Sequence, residues 1–108
     1  MPYVFVYSYV PVHKVADSAD IYVKSLKDFN SKARPLRKEI IPNAVKSTMD
    51  GIETIGVHDV KEGKLDEFLK LLQEYMVNFH VLEGFKYKIE VRFNAVEALG
   101  MIGLKLPE

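Results

Sequence analysis

Residues 55–75, IGVHDVKEGKLDEFLKLLQEY, change periodicity midway. The first six, IGVHDV, alternate as a β-strand does, and from Lys64 onward the apolar side chains recur at helical spacing. Leu65, Phe68, Leu69, Leu72, Met76 and Phe79 form one stripe, while Lys64, Asp66, Lys70 and Glu74 lie off it. Gly63 separates the two periods. A strand joined by a glycine turn to an amphipathic helix is half of a layered α/β unit. The other elements are therefore read as what this half-unit packs with.

A strand is expected just after the N-terminus, where Tyr3–Val10 (YVFVYSYV) lies between Pro2 and Pro11. Alternation puts Val4, Val6, Ser8 and Val10 on one face and Tyr3, Phe5, Tyr7 and Tyr9 on the other. Both faces are largely apolar, which predicts a strand in the middle of a sheet. Asp17 or Ser18 is read as the cap of a helix beginning near Ala19. Tyr22, Leu26, Phe29, Ala33, Leu36 and Ile40 keep to one helical face, with Pro35 interrupting. The reading is two helical segments, 18–33 and 35–41, or one kinked helix, ended by Pro42. Segments 43–50 and 52–60 read as a hairpin around Asp50-Gly51. Phe85–Phe93 (FKYKIEVRF) alternates throughout, with Phe85, Tyr87, Ile89, Val91 and Phe93 facing in. A helical turn is expected at 94–99, and Met101–Leu106 as a further strand or a docking arm.

The order strand, helix, strand, strand, helix, strand predicts an α+β, ferredoxin-like βαββαβ fold: a four-stranded antiparallel sheet with both helices on one face. A chain of 108 residues, 48% hydrophobic, is expected to be a single domain spanning residues 1–108. Fifteen basic and fifteen acidic residues cancel, giving no global drive toward nucleic acid or an anionic membrane. Without cysteine there is no disulfide framework and no thiolate chemistry. No apolar run approaches the ~20 residues of a membrane span, and the N-terminus does not read as a signal peptide. The expected location is the cytoplasm.

Val57–Leu72, VHDVKEGKLDEFLKLL, resembles the strand–turn–helix of the dimeric α+β barrel superfamily, which includes the antibiotic-biosynthesis-type monooxygenases. The residues that carry the likeness are Val60-Lys61 at the strand end, Gly63-Lys64 in the turn and Asp66–Leu69 opening the helix. The resemblance implies the fold and a pairing of two sheets into a barrel; no residue set maps onto the oxygenases' catalytic groups. A homodimer also follows from the residues themselves. Four aromatics contiguous on the uncovered sheet face would leave a patch of several hundred Å² in water, and a twofold pairing buries it.

The candidate site is the cleft between the paired sheets. If Ile55 and Val57 face the helices, then Thr54, Gly56 and His58 share the tyrosine face with Glu90 and Arg92 of the neighbouring strand. His58 and Glu90 are then the candidates for proton transfer, Arg92 for an anionic ligand group, and Tyr7 and Tyr9 for the walls. The structural alternative is a Glu90–Arg92 ion pair with His58 hydrogen-bonded at a dimer seam. No metal site is expected, because His13, His58 and His80 lack ligand spacing. No cofactor is expected either; a haem, known in some relatives of this fold, would need His58 or His80 as its axial ligand. The basic run Lys24, Lys27, Lys32, Arg34, Arg37 and Lys38 reads as a solvated helix face or as a nucleic-acid contact. The functional reading is a binder of a small organic molecule, as a cofactor-independent monooxygenase or isomerase. The alternative is a non-catalytic ligand-sensing or protein-interaction module of the same fold.

Overall fold

The computed structural model describes residues 1–107. Strands β1 (Tyr3–Pro11), β2 (Arg37–Ser47), β3 (Gly51–Val60) and β4 (Lys86–Arg92) form one antiparallel sheet in the order β2-β3-β1-β4. Helices α1 (Val15–Ala33) and α2 (Leu65–Val77) lie on one face, and a short α3 (Ala95–Gly100) follows β4. The arrangement is ferredoxin-like α+β. β1 is paired on both sides, as its two apolar faces demanded. Its Val4 meets Val60 of β3, Phe29 and Ala33 of α1, and Phe68, Leu72 and Met76 of α2 in the core. The α2 stripe is the one set by residues 65–76: Phe68, Leu72 and Met76 are buried, and Leu65 and Leu69 pack against them.

The first helix differs from expectation at both ends. It begins at Val15, before Ala19, and its cap position is Lys14 rather than Asp17 or Ser18, with no side-chain cap. Asp17 instead sits in the first turn, where its charge suits the helix dipole. The helix stops at Ala33, and the expected helical segment 35–41 is a turn running into β2. Pro35 removes a helical donor and clashes with the preceding turn; Leu36 N donates to Ala33 O at 2.8 Å, and the chain then extends. Leu36 still reaches the core, whereas Ile40 does not. Pro42 falls on the edge strand β2, where proline is tolerated, and β2 shifts register on either side of Ile41.

The hairpin turns at Thr48–Gly51: Thr48 N donates to Gly51 O at 2.8 Å, and Thr48 Oγ1 accepts from the Asp50 and Gly51 amides. A Cβ at Gly51 would stand 2.1 Å from Val10 O, so only glycine fits there. Asn94 caps α3 in a reciprocal box with Glu97. Met101–Leu106 forms no strand: a turn gives way to irregular chain, with Met101, Ile102, Leu104 and Leu106 exposed. The radius of gyration, 15.7 Å, exceeds the ~13 Å typical of this length.

Candidate functional site

Antiparallel partners project to the same face of a sheet. Val4 lies opposite His58, Val6 opposite Gly56 and Ser8 opposite Thr54. Since Val4 is fully buried under the helices, His58, Gly56 and Thr54 lie under them too. Ile55 and Val57 are on the open face. This reverses the expected phase of β3 and removes His58 from the tyrosine face. β3 carries apolar side chains in both parities, Ile52 and Val60 in one, Ile55 and Val57 in the other. Alternation alone left the phase undetermined, and burial of Val60 beside Val4 fixed it.

Between sheet and helices is a pocket of about 450 Å³. Its floor includes Val6, Ser8, Thr54, Gly56 and His58, and α1 and α2 wall it with Tyr22 and Tyr75 among others, leaving it partly open. Gly56 leaves a hollow in that floor: a Cβ there would lie 3.5 Å from Pro42 O, 3.7 Å from Ile41 O and 3.8 Å from His58 Nε2. The Ser8 and Thr54 hydroxyls hydrogen-bond to each other beside it. His58 is 5% exposed, with its ring 5.1 Å from that of Phe68. Its Nδ1 is buried with no partner among the described residues. Burial, helped by the nearby Arg37 charge, lowers its pKa to about 4, so the imidazole is neutral at physiological pH.

Arg37 is itself buried at the start of β2. It donates to Asn30 Oδ1 at 3.0 Å, pairs with Glu39 at 3.5 Å and lies over the Phe29 ring, while its Nε has no partner. Burial lowers its pKa, opposed by Glu39. Across the pocket, burial pushes the Tyr75 hydroxyl up to about 12. The nearby Ser25 hydroxyl, which donates to Ile21 O at 2.6 Å, opposes that rise, and Tyr75 Oη has no hydrogen-bond partner of good geometry among the described residues. Sequence reasoning missed Arg37, Tyr75 and Ser8, and put Thr54 on the opposite face of the sheet. Tyr75 was findable, standing three residues after Leu72 on the buried stripe. Arg37 was hidden in the basic run, which the structure divides: Lys24 and Lys32 pair with Asp20 and Asp28, and Arg37 turns inward.

The open face does assemble Tyr7, Tyr9, Glu90 and Arg92, with His58 absent. Phe5 and Tyr7 stack at 6.2 Å, with Arg92 5.0 Å above Phe5 and Lys88 4.8 Å above Tyr7. Glu90 accepts from Lys88 at 2.8 Å and from Arg92 at 2.9 Å. Those two hydrogen bonds hold its carboxyl below the usual range, and Glu90 in turn raises Lys88 and Arg92. Glu90 is thus engaged as an ion-pair centre. A groove of about 600 Å³ runs beside it, bordered by Tyr7, Tyr9, Ala44, Ile55, Lys86 and Lys88. Among the described residues no three His, Asp or Glu side chains group as a metal site, and no helix is long and apolar enough to cross a membrane.

No family model matches the chain, and no curated protein matches it. A dimeric ferredoxin-like protein from an uncultured marine organism superposes with a TM-score of 0.56 at 8% identity, over 87% of this chain and 94% of that one. The de novo designed protein Foldit4 gives 0.51 at 8% identity, over 86% and 97%. A protein from Agrobacterium tumefaciens gives 0.44 at 12% identity, over 82% and 90%, a likeness too low to argue from. At such identities similarity speaks for architecture alone, and with the strand order it makes this chain a ferredoxin-like α+β protein.

Proposed function

We propose that the protein binds a small, mainly apolar organic molecule in the pocket between sheet and helices, with His58 and Tyr75 supplying polar contacts. The observation that carries this is a partly open pocket of about 450 Å³ between sheet and helices, layers that ordinarily pack as densely as an organic crystal. Two of the residues lining it, His58 and Tyr75, each carry a buried polar atom without a partner, Nδ1 and Oη. Each such atom costs about 1–3 kcal/mol unless something hydrogen-bonds to it. A pKa of about 4 makes His58 a weak base at neutral pH, which favours recognition over turnover. A catalytic reading, isomerisation or cofactor-independent oxygenation, is the second one, supported by a neutral imidazole able to accept a substrate proton. The protein is further proposed to act as a homodimer through its open sheet face. The aromatic row there, and the dimeric ferredoxin-like protein of similar fold, support this.

Native mass spectrometry of the purified protein, with a thermal-shift screen of apolar compounds, tests the pocket. A ligand at a hundred times its Kd should stabilise the fold by about 2.7 kcal/mol. Ala19→Trp, at the exposed rim of the pocket, should abolish that gain while leaving the ligand-free melting temperature nearly unchanged. Stabilisation that survives the substitution would place binding elsewhere.

A further inference from the structure

The hollow over Gly56 is ringed by hydrogen-bond acceptors. The main-chain oxygens of Ile41 and Pro42 and the Nε2 of His58 all lie within 4 Å of where a Cβ would stand. They converge there because β2 shifts register around Ile41 and Pro42 opposite this part of β3. Two kinds of ligand are disfavoured. A cation beside His58 would be opposed by the Arg37 charge, which lies outside the lining but close enough to help keep the imidazole unprotonated. An anion would meet carbonyl oxygens and the Glu39 carboxylate, which also lines the pocket. The walls above are aromatic: Tyr22, Phe29 and Tyr75, with the last two rings 4.5 Å apart.

We propose that the pocket holds an uncharged planar ring whose edge rests over Gly56 and whose hydroxyl donates to His58 Nε2, the imidazole keeping its own proton on Nδ1, which places the ligand among the neutral phenols and enols. Gly56 is the specificity-determining residue, because any side chain there fills the seat. The Ser8–Thr54 hydroxyl pair, on the same floor, meets a second polar substituent of the ring. This rests on the reading of the pocket as a ligand site and adds to it the class of ligand.

Three probes of one size separate the possibilities at neutral pH: 2-naphthol, naphthalene and 2-naphthoate. The wild-type chain should bind 2-naphthol several-fold to about tenfold more tightly than naphthalene, the worth of one hydrogen bond, and should not bind 2-naphthoate. Gly56→Ala should abolish 2-naphthol binding without lowering the melting temperature, since the nearest atom to the new methyl is 3.5 Å away. His58→Phe should erase the preference for 2-naphthol over naphthalene. Equal binding of 2-naphthol and naphthalene, both sensitive to Ala19→Trp and neither to Gly56→Ala, would overturn the seat and keep the pocket. Preference for 2-naphthoate would overturn the exclusion of anions, and with it the ligand class. Binding of no probe would overturn both the seat and the pocket.

Discussion

Val4 and His58 are direct partners across β1 and β3, and both are buried beneath the helices. An imidazole opposite a fully buried valine is 5% exposed and has only Arg37 as a charged influence on its titration. The same pairing moves the candidate ligand site from the open sheet face to the helix side.

That burial predicts a pH dependence. His58 titrates near 4 when folded and near 6.5 when unfolded. Above pH 6.5 both states are neutral and the group costs nothing. Between pH 6.5 and about 4 the unfolded chain takes up a proton that the folded one refuses, so stability falls as pH falls. The full loss is about 3 kcal/mol. Arg37 and Glu39 are the charged groups beside the ring, and the ion-paired Glu90 and Glu97 add their own loss at lower pH. Urea unfolding at pH 7 and 4.5 should show a smaller drop in His58→Phe than in the wild type. Equal drops would mean that the imidazole is solvated.

Arg37→Met should raise the titration midpoint of His58, read by NMR, while leaving it below 6.5. The charge that depresses it is gone, but burial, the larger cause, remains. A midpoint that does not move would show that Arg37 acts on Glu39 and Asn30 alone.

Phe68 has no exposed surface and touches the rings of both Phe29 and His58. Phe68→Ala is expected to destabilise the fold by about 3–5 kcal/mol in chemical denaturation. A melting temperature within about a degree of wild type would place α2 on the wrong face.

For the open face, light scattering at micromolar concentration should give the mass of a dimer, and Phe5→Lys the mass of a monomer. Phe5 points away from the core and already carries Arg92 above its ring, so a lysine there adds like charge to an interface without unfolding the chain. A stable dimer needs roughly 1,200–2,000 Å² of buried surface; the aromatic row and the apolar side chains of the exposed Met101–Leu106 segment are the surface expected to contribute to it. A wild-type monomer would end the proposal.

Element type and order were determined by the sequence through short-range effects. The switch of period at Gly63 marked β3 and α2, the doubly apolar Tyr3–Val10 marked a central strand, and Asp50-Gly51 marked a hairpin. Each depends on neighbours within a few residues. Tertiary structure decided three further matters. Residues 37–41 became strand because Pro35 broke the helix and β3 offered a partner. Arg37 turned inward because Asn30 of α1 meets it there, beside Glu39 two residues along β2. His58 went under the helices because β3 has apolar residues in both parities. Its phase was set by the pairing of Val60 and Val4 with the helices above, contacts between residues distant in sequence that no local pattern encodes.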